Sequence, residues 1–265
     1  MITFIRENLY LVLVIIIICL VTFTEKNLNV QEYLPKLWVN QVILKNKFKK
    51  MINPNFNVRI NNLDKPIIYI ENFLNTSFFR YLVNQIPVEN KKSTNVILRK
   101  ASGISFTELH QNYSGFLEFY HSFEFKNFLQ HRLKKIINRP PMSDDNCCSI
   151  IMYTSKGDYI NWHYDYSSYH GKRYTILLTL VNENELTGDL SENNFIYVED
   201  GVEKKLKCKP NSIIIFDGEN IRHKSTPINN NEKRVLISMT FCDICQQKTN
   251  VINRFYEKIK NLAFY

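Results

Sequence analysis

The chain of 265 residues predicts an α+β fold in which a β-sandwich or barrel is backed by helices. Three observations predict it. From Cys147 onward, short β-branched or aromatic runs follow one another, separated by turn residues. Before that point, two stretches carry helical apolar spacing, and helices followed by a run of strands suggest segregated layers. Hydrophobic residues make up 45% and charged residues 22%, which suits a packed core and excludes a disordered chain. Seven glycines are too few for a collagen-like or glycine-linker architecture.

Taken in order, the first element is an apolar run at residues 9–23, interrupted only by Tyr10 and Thr22. As a helix it covers ~22 Å, short of a ~30 Å hydrocarbon core. Residues 2–23 are long enough if Arg6 and Glu7 lie at headgroup level. No Ala-x-Ala precedes a cut, so residues 1–24 read as an uncleaved transmembrane helix in preference to a cleaved signal segment. Arg6 favours a cytosolic amino terminus, while Glu7 and Lys26 pull the other way. Residues 25–65 are rich in Asn and Lys and read as a polar neck, with an amphipathic helix after Pro35 that ends at Asn53-Pro54.

Residues 67–70, all β-branched or aromatic, predict a strand. Asn75-Thr76-Ser77 is a helix-start signal, and residues 78–86 continue it with helical spacing. A second helix is predicted over 115–137, closed by Arg139-Pro140-Pro141. Strands are then predicted at 148–153, 173–181, 194–199, 202–208, 212–216 and 233–241, and a final helix at 250–265. Of the six cysteines, Cys19 sits in the apolar run, which leaves an odd number. Cys242 and Cys245 have redox or zinc spacing without a second ligand pair nearby, so one disulfide or buried thiols is expected. The net charge of +9 fits nucleic acid, an anionic membrane or acidic small molecules and does not choose among them.

The chemistry concentrates in His163-Tyr164-Asp165 and, 60 residues after His163, His223. In extended backbone, residues i and i+2 face the same way, so His163 and Asp165 can present an imidazole and a carboxylate together. His223 follows a strand and can return a second imidazole. Two histidines and one carboxylate on one side of a metal leave positions open for oxygen and a co-substrate, as in non-haem Fe(II) sites. Lys233 and Arg234 follow, where a cation could hold a dicarboxylate. Alternation groups Arg234 with Leu236, Ser238 and Thr240, opposite an apolar set of Val235, Ile237, Met239 and Phe241. That apolar set reads as the helix-packing face, which turns Arg234 inward.

With these residues the chain resembles the Fe(II)/2-oxoglutarate-dependent dioxygenases, especially their prolyl 4-hydroxylase-like branch. Ile68-Tyr69-Ile70-Glu71-Asn72-Phe73-Leu74 is similar to the strand that opens that catalytic domain. Tyr153, Gly157, Ile160 and His163-Tyr164-Asp165-Tyr166 are similar to its approach to the first ligands, and Arg173-Tyr174-Thr175-Ile176-Leu177-Leu178 to the strand after them. Pro210, Ile214-Ile215-Phe216, His223, Thr226-Pro227-Ile228 and Arg234 are similar to its end. The resemblance covers residues 66–243. It implies a double-stranded β-helix, a jelly-roll core flanked by helices, with the catalytic domain at 66–245 and a terminal helix at 246–265.

The resemblance further implies Fe(II) held by His163, Asp165 and His223, 2-oxoglutarate as co-substrate, O2 as oxidant and ascorbate as a further candidate. Arg234, or Lys233 at the more usual spacing, would pair with the distal carboxylate of 2-oxoglutarate, with Tyr153 and Thr175 nearby. The implied reaction is hydroxylation of a peptidyl residue, proline or lysine, by a single-pass membrane enzyme anchored through residues 2–23, with its domain in the endoplasmic reticulum or Golgi lumen. Sequons at Asn75 and Asn112 are compatible with a lumen. A nucleic-acid demethylase of the same superfamily is the alternative enzyme; Thr240 stands where that branch has a second arginine, which makes nucleic acid the weaker partner. A catalytically dead, membrane-tethered β-helix is the alternative from another class.

Overall fold

A computed structural model describes residues 42–248 apart from 43, 46, 65, 66, 88–92, 97 and 143. The expected anchor at 2–23, residues 25–41 of the neck and the predicted helix at 250–265 lie outside the described residues. Among the described residues, no helix is long and apolar enough to cross a membrane. Residues 246–248 are not helical: Gln247 forms an antiparallel bridge with Tyr169.

Among the described residues, twelve strands form one curled antiparallel sheet. They are β1 (Asn57–Asn62), β2 (Ile67–Glu71), β3 (Thr94–Val96), β4 (Arg99–Ile104), β5 (Cys148–Tyr153), β6 (Tyr159–His163), β7 (Arg173–Asn184), β8 (Phe195–Glu199), β9 (Val202–Leu206), β10 (Ser212–Phe216), β11 (His223–Ser225) and β12 (Glu232–Cys242). The spatial order is β1-β2-β10-β7-β12-β5-β4-β6-β11-β8-β9, with β3 beside β4. β4 turns the corner: Ser102, Gly103 and Ile104 pair with β5, whereas Arg99 and Lys100 pair with β6. The sheet thereby folds over itself as a jelly-roll-like core, and its two halves enclose the inner faces of β5, β7, β8 and β12.

Four helices are described by side chain and backbone: α1 (Thr76–Val83), α2 (Phe106–Asn112), α3 (Ser114–His121) and α4 (Phe123–Leu133). They cover the outer face of the larger half. Val235, Ile237, Met239 and Phe241 of β12 join Phe73, Phe78, Phe119 and Phe125 in one buried cluster, in which the Phe119 and Phe125 rings lie 4.4 Å apart. The single helix expected over 115–137 is two. Ser122 has an extended backbone, its hydroxyl donates to Phe119 O at 2.8 Å, and it accepts from Phe125 N at 3.2 Å, which ends α3 and caps α4. Apolar spacing runs straight through this break because both helices bury the same face.

β1 lies inside the expected neck. It is mostly exposed and polar, yet it pairs with β2 along its length, so the sheet begins earlier than the polarity of 57–62 implied. An edge strand needs few apolar residues, which is why it reads as a linker. At the opposite end β9 is the outermost strand, with four of its five residues exposed. Cys242 and Cys245 form a disulfide, while Cys147, Cys148 and Cys208 are buried thiols.

Candidate metal centre

β6 ends at His163 and β11 begins at His223, and the two residues are direct partners across the antiparallel pair. A turn at Gly157, with φ +79°, starts the return into β6; its positive φ suits glycine. Asp165 lies two residues beyond β6, its N–H donating to Gly218 O at 2.8 Å. His163 Nε2 is 3.5 Å and His223 Nε2 3.9 Å from the same oxygen, Asp165 Oδ1. One ligating atom from each residue falls within 4.8 Å of the other two.

Backbone carbonyls fix both imidazoles. His163 Nδ1 lies 2.7 Å from Asn161 O, and His223 Nδ1 2.9 Å from Ile221 O. With each Nδ1–H donating, each Nε2 keeps its lone pair and faces the centre. Burial disfavours charge on all three groups. At Asp165 that burial is outweighed by His223, His163 and Arg173, and its carboxyl is held well below the usual range. Burial pulls His163 down, but its hydrogen bond and proximity to Asp165 win and raise it. Burial dominates at His223 and pushes it down to about 4. Two aligned imidazoles and an ionised carboxylate make a donor set that fits a divalent first-row metal.

The second oxygen of Asp165 accepts a hydrogen bond from the Thr175 hydroxyl. Thr175, expected beside the co-substrate, lines the same cavity but spends its donor on the carboxylate. Gly218 closes the other side. A Cβ there would stand 2.3 Å from Asp165 Oδ2 and 2.7 Å from Thr175 Oγ1.

Inward of the three ligands, Arg234, Leu236 and Ser238 face a cavity of about 60 Å³. Lys233 shares the parity of the helix-facing set. Arg234 is 1% exposed. Its Nη1 donates to Asn193 Oδ1 at 2.5 Å and to Ser225 Oγ at 2.7 Å, and its guanidinium lies 5.7 Å from the Tyr153 ring centre. Among the described residues no carboxylate pairs with it, and its Nε has no hydrogen-bond partner. Tyr153, also 1% exposed, has its hydroxyl pushed up by burial, with Arg234 acting against the rise.

The six residues singled out in the sequence therefore come together around one cavity. Sequence reasoning missed Asn193 and Ser225, which meet only when the loop before β8 packs on the end of β11 and so left no local signal. It also missed Gly218, for which a signal existed: a rare glycine two residues after a fully buried strand.

Solved structures share this architecture. The non-haem α-ketoglutarate-dependent epimerase SnoN from nogalamycin biosynthesis matches 68% of this chain and 77% of its own, with 9% identity and a TM-score of 0.51. The fold is that of the Fe(II)/2-oxoglutarate-dependent oxygenases. A second SnoN structure, in complex with Fe3+, α-ketoglutarate and nogalamycin RO, matches with the same TM-score of 0.51. AviO1 from Streptomyces viridochromogenes Tue57 matches over 68% of this chain and 90% of its own, with 10% identity and a TM-score of 0.50. No family model matches the sequence, and no curated protein matches it.

Proposed function

We propose that the chain is an Fe(II)- and 2-oxoglutarate-dependent dioxygenase that hydroxylates a peptidyl residue, with proline favoured and lysine the alternative. One observation carries the reading. A buried arginine without a carboxylate partner shares a narrow cavity with two histidines and an aspartate whose ligating atoms converge. A buried guanidinium is stable only when its donors are met, and a dicarboxylate entering the cavity would meet them.

His163, Asp165 and His223 would hold Fe(II). Arg234 would bind the distal carboxylate of 2-oxoglutarate, with Tyr153 packed against its guanidinium and Asn193 and Ser225 aiming it. Together with 2-oxoglutarate and O2, iron supplies the oxidising power to hydroxylate a C–H bond while the keto acid becomes succinate and CO2. Thr175 and Gly218 would keep Asp165 oriented, and the apolar wall of Leu177, Phe195 and Leu236 would keep water away. A peptide substrate is supported by the exposed aromatic side chains that flank Asp165 in sequence. Tyr164 and Tyr166 are 56% and 37% exposed, and Trp162 lies under the Arg222 and Lys224 cations at 5.0 and 4.3 Å.

The test is succinate release by the full chain with Fe(II), 2-oxoglutarate and a panel of proline- and lysine-containing peptides. Peptide-dependent succinate and a 16 Da mass gain on the peptide are expected. Absence of both across the panel, with metal bound, would sink the reading.

The division into an anchor at 1–24, a neck before the sheet and a catalytic domain through 245 belongs to the same proposal, as does a lumenal domain. The Cys242–Cys245 disulfide supports an oxidising compartment. Burial raises the thiol pKa of Cys147, Cys148 and Cys208, so an odd cysteine count leaves no reactive thiol exposed among the described residues. Carbonate extraction and protease protection of sealed microsomes test the anchor. Release by carbonate would remove it, and digestion of the domain without detergent would reverse the orientation.

A further inference from the structure

The turn between β5 and β6 is built on a buried carboxylate that the metal centre does not use. Asp158 is 0% exposed and stands one residue before β6. Its Oδ2 accepts from Thr154 N at 3.0 Å, Ser155 N at 2.9 Å and Ser93 Oγ at 2.8 Å. Its Oδ1 lies 3.8 Å from Lys100 Nζ and accepts no hydrogen bond among the described residues. Burying a charge is costly unless hydrogen bonds meet it, and here three donors converge on one oxygen.

Those donors adjoin the polar end of the metal-side cavity. Thr154 and Ser155 directly follow Tyr153, the last residue of β5 and the cross-strand partner of Arg234. The backbone of the same turn is tied to the segment after β11. Gly157 N donates to Ile228 O at 2.9 Å, and Ile228 N donates to Asp158 O at 3.1 Å. That segment follows Ser225, which accepts from Arg234 Nη1. Tyr153, Ser225 and Arg234 line the cavity, and Asp158 is not among its lining residues. Two neighbours of the Arg234 guanidinium therefore hang from one turn, and Asp158 is the side chain that shapes it.

We propose that Asp158 is a positioning residue for the co-substrate: by fixing the β5–β6 turn, it sets where Tyr153 and Ser225 stand against Arg234, and so how Arg234 meets a dicarboxylate. The assignment deepens the hydroxylase reading and rests on it for the identity of the co-substrate. A cap that only stabilised the turn would lower the melting temperature without distinguishing one ligand from another. A positioning role separates them, because the metal ligands are held by other bonds: His163 by Asn161 O, Asp165 by Gly218 O and His223 by Ile221 O.

Binding to the full chain tests this without turnover, with Mn(II) titrated first and 2-oxoglutarate then added to the loaded protein in a calorimeter. Asp158→Ala should raise the 2-oxoglutarate Kd at least about 10-fold, the factor expected when a hydrogen bond to a charged group is lost. Its Mn(II) affinity should stay close to wild type, against the loss of about 10–100-fold that follows removal of a group supporting a metal ligand. Asp158→Asn keeps an acceptor oxygen toward Thr154 and Ser155, and should bring the 2-oxoglutarate Kd back to within about 3-fold of wild type. An unchanged 2-oxoglutarate Kd in Asp158→Ala, an equal loss of both ligands, or no rescue by Asp158→Asn would overturn the assignment. Should Asp158→Ala fail to fold by its melting curve, Ser93→Ala decides: a Kd raised at least about 3-fold supports the role, and an unchanged one overturns it. Succinate release with the peptide panel separates the two readings. The Asp158 effect without peptide-dependent succinate removes the hydroxylase reading alone, and succinate without the Asp158 effect removes the positioning role alone. Wild-type protein that binds no 2-oxoglutarate removes both.

Discussion

Gly218 sets how close Asp165 can come to the two histidines. A methyl group there would overlap Asp165 Oδ2 and Thr175 Oγ1, both at less than 3 Å, so Gly218→Ala should push the carboxylate off its position. Loss of such support weakens metal affinity by about 10–100-fold, measurable by Mn(II) titration while the melting curve stays cooperative. Arg234 belongs to the same scale. Arg234→Ala should raise the 2-oxoglutarate Kd by at least about 100-fold, since breaking a buried charge pair costs about 3–5 kcal/mol. Metal affinity should hardly change, and Lys233→Ala should leave both constants near wild type. An effect confined to Lys233→Ala would place the co-substrate on the other face of β12. Arg234 was legible from the sequence because four apolar residues at alternate positions claimed the opposite face. Its polar supports were not, since Asn193 lies 41 residues away and reaches it only when β8 and β12 are folded together.

At the scale of elements, the buried strands were the most readable. β7, β10 and β12 are runs of Ile, Leu, Val and Thr long enough to need cover on both sides, and such runs announce themselves. β1, β3 and β4 did not, because an edge or corner strand carries Asn, Lys and Ser without penalty. The junction of α3 and α4 hid for a different reason: Ser122 interrupts the backbone without interrupting the apolar face. His121, the last residue of α3, lies beside the Phe106 and Tyr120 rings. Burial, with Arg139 adding to it, holds this imidazole down to about 3. A histidine in the unfolded chain titrates near about 6.5. Between these values the unfolded state binds the extra proton, so stability rises with pH and is lost as pH falls through the window. The metal-free protein should therefore lose stability between about pH 6.5 and 4, by an amount of the order of 2 kcal/mol from this residue. His223 acts in the same direction down to about 4, and His163, being raised, acts in the opposite one. Melting curves across that range should flatten in His121→Phe; an unchanged slope would mean that His121 is already protonated in the fold.

For the whole molecule, the two sequons differ in what glycosylation would break. Asn75 precedes α1 and its side chain donates to Lys50 O at 2.7 Å, whereas Asn112 ends α2 and is exposed. A lumenal domain should carry a glycan on Asn112 and none on Asn75. Asn112→Gln should then abolish an endoglycosidase-sensitive gel shift, and Asn75→Gln should leave it intact; no shift in the wild type would argue for a cytosolic domain.

Among the described residues the path of the sheet ends at β1 and β9, because the curled order does not close on itself, while β3 is a short third edge on β4. Unpaired backbone at such ends is a template onto which another chain can add, the first step toward fibrous aggregation. Both ends are blunted by their side chains: Asn57, Arg59, Asn61 and Asn62 on one, Glu203, Lys204 and Lys205 on the other. The polarity that made residues 57–62 look like a linker thus has a colloidal role. Replacing Lys204 and Lys205 together by valine should leave the metal centre intact and yet turn a monodisperse preparation into one that scatters light and grows with concentration.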